Sequence, residues 1–201
     1  MQEISQQLQQ VLWRIAQACD KSARKADEVH LLAVSKYQQP SAIRIAYQAG
    51  QVDFGENYVQ EALDKMAQLS DLPLVWHLIG ALQSNKTAQV AAHFAWVHSV
   101  DRLKIAQRLS VQRPAHLPPL NICLQVNIDN QDSKSGCQVD ELAVLVQSIL
   151  PLPKLLLRGL MIIPQAGNEQ AFAQLAKIRQ HLLATIPTLN PQVFDTLSMG
   201  M

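Results

Sequence analysis

The sequence predicts an α/β fold on a parallel sheet, a (β/α)8 TIM barrel, and three observations carry that reading. Seven short apolar runs of strand character alternate with segments of helical period. Several of these runs lack polar alternation, as strands covered on both faces do. No G-x-G-x-x-G follows the first run, so nothing favours an open dinucleotide-binding sheet. A barrel needs eight strands, yet the chain stops at Ser198-Met199-Gly200-Met201, directly after the seventh. The expectation is therefore one barrel domain over residues 1–201 that lacks its last helix and strand.

Taken in order, Ile4, Leu8, Val11, Leu12, Ile15 and Cys19 fall three or four apart and predict an amphipathic helix over about residues 2–22. The barrel begins near residue 31. The predicted strands are Leu31–Ser35, Val52–Phe54, Leu74–Gly80, Trp96–Val100, Asn121–Ile128, Leu155–Ile163 and Val193–Met199. The predicted helices between them are Ser41–Gly50, Glu56–Leu69, Asn85–Phe94, Arg102–Gln112, Val139–Leu150 and Glu169–Thr185. Gly50 suits a helix C-cap, and Glu56 supplies an acidic first turn. Asp101 and Asp140 are expected as N-cap or first-turn residues.

Composition narrows the function. Lys and Arg number 17 against 16 Asp and Glu, a net charge of +1, which argues against neutralising many phosphates on a nucleic acid. At 48% hydrophobic and 16% charged, the chain is not of disordered composition. The most apolar stretch, Leu150 to Pro164, is broken by Pro151, Pro153, Lys154 and Arg158, so no membrane span is expected. Glutamines interrupt any signal-peptide centre at the N-terminus. Cys19, Cys123 and Cys137 have no metal-like spacing and read as reduced thiols of a cytoplasmic protein.

The sharpest chemical feature is Lys36, closing the run Leu31-Leu32-Ala33-Val34-Ser35-Lys36. A parallel barrel carries its active site at the C-terminal ends of its strands. Apolar neighbours there would desolvate the amine partly, and a neutral amine condenses with an aldehyde. The plainer alternative is a lysine opening a solvated loop. Other strand ends add polar or glycine residues to the same rim: Gly55 to Tyr58, Gly80 to Lys86, Asn127, Asp132 to Gly136, Arg158 to Met161, and Ser198 to Gly200. Each has a structural reading too. His77 suits a hydrogen-bonded core histidine, Ser84 and Asn85 suit helix caps, and Met161 and Met199 suit packing. No residue set has metal-site spacing or the pattern of a hydrolase.

Fragments along the chain carry a resemblance. They are Ala33-Val34-Ser35-Lys36, Asp53-Phe54-Gly55-Glu56-Asn57-Tyr58-Val59-Gln60-Glu61, Trp76-His77-Leu78-Ile79-Gly80, Leu82-Gln83-Ser84-Asn85-Lys86 and Ser99-Val100-Asp101. Gln125-Val126-Asn127, Lys134-Ser135-Gly136, Arg158-Gly159-Leu160-Met161 and Leu197-Ser198-Met199-Gly200-Met201 follow in the same order. Together they resemble the YggS/PROSC family of pyridoxal phosphate (PLP) homeostasis proteins.

The resemblance implies an alanine-racemase-type barrel holding pyridoxal 5'-phosphate as a Schiff base on Lys36. It implies Asn57 and Met161 beside the cofactor, and Ser198 and Gly200 in a strand-end segment near its phosphate. Lys134 matches a lysine of a mobile loop that could be a secondary aldehyde site. Gln38 departs from the family, where many members carry a second lysine. Family members also continue past the Ser-Met-Gly-Met motif into a last helix, an eighth strand, a phosphate loop and an arginine facing the pyridine nitrogen. Weak PLP binding and an unpaired edge between strands one and seven are the corresponding expectations.

The function implied is PLP binding without catalytic turnover, in vitamin B6 homeostasis and amino-acid balance. The expected partners are PLP and PLP-dependent apoenzymes that would receive it, with no nucleic acid and no membrane surface, and the chain is expected to be a monomer. Two alternatives stay open: a PLP-dependent racemase-like enzyme, and a cofactor-free barrel remnant with a structural or binding role.

Overall fold

The computed structural model describes residues 2–129 and 135–200. The chain divides into two compact units, Met1–His77 and Leu78–Met201. Among the described residues seven strands follow one another in chain order, and the pairings within each unit are parallel.

The first unit opens with α1 (Gln2–Lys21), the amphipathic helix predicted from its apolar spacing. Only Cys19 of that stripe is fully buried; Val11 and Leu12 stay exposed, because α1 packs on little beyond α2 (Pro40–Gln48). Before α2 comes the two-residue strand β1 (Ala33–Val34). It pairs with β2 (Asp53–Glu56), placing Ala33 beside Phe54 and Val34 beside Gly55. Pro40 sits at the start of α2, where its missing N–H costs nothing, and Gly50 follows the helix with φ +101°. Next are α3 (Val59–Gln68) and β3 (Val75–Leu78). Glu56 therefore ends a strand as a fully buried residue and is no helix first-turn acid; Glu61 holds that place.

The second unit contains α4 (Thr87–His93), β4 (Trp96–Val100), α5 (Leu103–Gln112), β5 (Leu120–Gln125), α6 (Leu142–Ile149), β6 (Leu155–Ile162), α7 (Gln170–Thr185) and β7 (Thr196–Met199). Its core is mainly aliphatic, with Val97, Ile122, Leu124, Val146 and Leu160 sealed from solvent and Phe94 and Phe194 buried among such residues. Arg113 lies in this core with its guanidinium satisfied by the carbonyls of Ala91, Phe94 and Pro118 at 2.7, 2.8 and 2.9 Å. It thereby closes the C-terminal end of α4.

The expected side-chain caps did not form. Helices α2 to α7 start without a side-chain cap hydrogen bond. Asp101 binds Arg102 at 2.6 Å instead, and α6 starts at Leu142, beyond the reach of Asp140. Ser84 and Asn85 form a 3-10 turn, in which Ser84 contributes its carbonyl to Thr87 Oγ1 at 2.9 Å. No helix among the described residues is long and apolar enough to cross a membrane.

Candidate functional site

In the first unit, β1 ends at Val34, and Lys36 lies in the turn two residues on, at the C-terminal end of the strand. Its side chain is exposed, so the partial desolvation expected from apolar neighbours is absent. The reason is local: Val34, Lys36, Tyr37 and Gln38 all face solvent, and only Ser35 turns inward.

The residues on either side of Lys36 are tied to a largely buried polar cluster. Ser35 Oγ donates to Glu56 Oε1 at 2.7 Å. Lys65 Nζ donates to Glu56 Oε1 at 2.7 Å, to Glu61 Oε1 at 2.7 Å and to the Ser35 carbonyl at 2.6 Å. All three protons of that ammonium are thus used. On the other side of Lys36, the Tyr37 N–H donates to Glu61 Oε1 at 2.6 Å. Burial would raise the Glu61 carboxyl's pKa, but the hydrogen bonds from Lys65 and Tyr37 outweigh it and hold it below the ordinary value. Glu56 Oε2 is buried without a hydrogen-bond partner.

Tyr37 takes a left-handed backbone, φ +62°, which costs a non-glycine residue about 1 kcal/mol or more. Its ring lies 5.5 Å from that of Tyr58, and the two hydroxyls are hydrogen-bonded at 2.7 Å. Asn57, one residue past β2, is half-buried. His77 is buried with Nε2 2.9 Å from Asp53 Oδ1, the hydrogen-bonded core histidine of the plainer reading.

In the second unit, Met161 of β6 is buried and pairs with Gln125 of β5 on one side and Ser198 of β7 on the other. Met161 and Ser198 are thus brought side by side. Ser198 Oγ also meets His98 Nδ1 of β4 at 2.7 Å. On a flat sheet, β4 and β7 would lie three strand spacings apart, ~14 Å. A direct contact between their side chains requires the sheet of this unit to curve, with His98 and Ser198 on its concave face. Gly200 follows β7 and is exposed.

Arg158, by contrast, is not on this rim. It binds Asp195, which precedes β7, at 2.9 and 3.0 Å, and its guanidinium lies 5.0 Å over the Trp96 ring. It belongs to the sheet's N-terminal side. Lys134 lies outside the described residues. Cys123 and Cys137 are buried, and burial pushes both thiols up to about 12, which leaves them without reactive thiolate.

Sequence reasoning missed Lys65, Glu61 and His98 as individual residues. Lys65 had a readable signal: it stands at a core position of α3, between Val59 and Ala62 on one side and Leu69 on the other, four residues after Glu61. His98 is an imidazole buried in a short strand, next to the buried Ser99.

Comparison with known proteins agrees over nearly the whole chain. The family model for the alanine racemase N-terminal domain matches residues 10–200. A pyridoxal phosphate homeostasis protein of Pseudomonas aeruginosa is 54% identical over 203 residues, spanning 100% of this chain and 86% of the relative. One of Escherichia coli K12 is 47% identical over 205 residues, covering 100% and 87%. Among solved structures, PipY of Synechococcus elongatus with PLP bound is similar at a TM-score of 0.78 and 38% identity, over 93% of this chain and 89% of that one. An alanine racemase from Corynebacterium glutamicum shares the fold at a TM-score of 0.62 and 14% identity, over 90% and 50%. The chain belongs to the alanine racemase N-terminal domain family and, within it, to the family of the pyridoxal phosphate homeostasis proteins.

Proposed function

We propose that this chain is a single PLP-binding barrel domain that takes up pyridoxal 5'-phosphate on Lys36 and serves the homeostasis of that cofactor without turnover of its own. The observation that carries the reading is Lys36 itself: an exposed amine at the C-terminal end of a parallel strand, held between two pinned neighbours. That donor suits an aldehyde. When bound, the cofactor would supply an aldehyde carbon, and Lys36 would hold it through its amine nitrogen. Asn57, Met161, Ser198 and Gly200 are proposed as the further contacts, and Lys134 as a secondary aldehyde site.

Support comes from the relatives, which bear the name of homeostasis proteins, and from PipY, solved with PLP bound. The name homeostasis protein suits a role without catalysis; PLP-dependent apoenzymes as recipients and a monomeric chain belong to the same proposal. Three buried free thiols support a cytoplasmic setting. Adding PLP to the purified chain should produce a violet-edge absorbance band that Lys36→Ala abolishes, with no amino acid racemised or decarboxylated. A wild-type protein that stays colourless at saturating PLP would refute the binding, and amino-acid turnover lost in Lys36→Ala would refute the non-catalytic role.

A further inference from the structure

Lys65 is a charged residue at a core position of α3, and nothing about a helix requires it there. Its side chain is 5% exposed, beside a Glu56 side chain at 0%. Burying an ammonium is costly unless every donor is paired, and here all three are. The partners are not scattered. One is the carbonyl of Ser35, the residue before Lys36. Another is Glu61 Oε1, the same atom that accepts the N–H of Tyr37, the residue after Lys36. The third is Glu56 Oε1, which also accepts the Ser35 hydroxyl. The backbone on both sides of Lys36 is therefore tied to one buried ammonium, directly on one side and through Glu61 on the other. The left-handed Tyr37 backbone needs such over-determination to persist.

We propose that Lys65, acting with Glu56 and Glu61, is a positioning residue that fixes the backbone at Lys36 and so presents its amine to the aldehyde of the cofactor. This rests on the reading of Lys36 given under Proposed function. Lys65 does not itself touch the cofactor in this account. Pre-organisation by the surrounding shell is what lets a binding amine act without first ordering its own turn.

The test uses the full chain, with Glu61→Ala and the charge-balanced double variant Lys65→Met/Glu56→Gln. Glu61 has a side chain one quarter exposed, so its truncation leaves little void. Before any PLP is added, hydrogen exchange at the Tyr37 amide should quicken at least tenfold in both variants while thermal melting stays cooperative. PLP titration should then show a dissociation constant raised about tenfold, the worth of one lost charge-assisted hydrogen bond, with borohydride still trapping the cofactor on Lys36. Folded variants with Tyr37 exchange unchanged, or with PLP affinity within about twofold of wild type, would overturn the proposal. Loss of cooperative melting in Glu61→Ala would also overturn it, by making the cluster a stability element. A wild-type chain that traps no PLP on Lys36 would instead remove the reading beneath it, and that failure is visible without any positioning variant.

Discussion

Asp195 shows how single charges are handled in this chain. Burial alone would raise its pKa, but hydrogen bonds from Arg158 and Thr196 prevail and hold the carboxyl below the ordinary aspartate value. A folded-state pKa below the unfolded value contributes stability at pH above the unfolded pKa, ~4, and that contribution disappears as pH falls through the folded one. Asp195→Asn should therefore lower the urea midpoint at pH 7, and its stability should fall less steeply than wild type below about pH 4. Equal acid slopes in the two proteins would contradict the pairing. At this scale the sequence was partly readable. Lys36 was legible because an apolar run ended on a lysine, and an amine at a strand end is unusual enough to notice. The bond from Lys65 to the Ser35 carbonyl and the pairing of His98 with Ser198 were not, because those partners lie 30 and 100 residues apart in sequence and only the folded chain brings them together. The degree of exposure of Lys36 was misjudged for a related reason: apolar neighbours in sequence need not be neighbours in space when the strand between them is two residues long.

Among the elements, β6 and β7 depend on Gly159. A Cβ built there would meet the Thr196 carbonyl oxygen at 1.8 Å, and that atom is backbone of the neighbouring strand, unable to move aside cheaply. Gly159→Ala should destabilise the chain by about 3 kcal/mol or more, read as a lowered denaturation midpoint, because β7 must shift and take Ser198 with it. A change within about 0.5 kcal/mol would mean that the two strands are not packed so closely. The element order itself was readable, since seven apolar runs and seven helical stretches sit where periodicity places them, and β4 has the bounds expected of it. Helix starts were legible to within three residues, but what caps them was not. Cap residues were assigned from residue type, whereas here a proline at the start of α2 and tertiary packing do that work.

For the molecule as a whole, the parallel strand order and the family match over residues 10–200 agree with the barrel class expected from strand and helix alternation. A net charge of +1 argues against a partner recognised through many phosphates, but composition could not name a ligand. That step came from short collinear fragments, and the relatives' names support it. The central claim is that one lysine of this chain forms the covalent link to PLP. Its most direct test is to incubate the intact chain with PLP, reduce with borohydride, digest, and locate the added mass by peptide sequencing in a mass spectrometer. Stoichiometric labelling of Lys36 is expected, with any label at Lys134 appearing only at higher PLP. Labelling absent from Lys36, or spread evenly over the surface lysines, would contradict it.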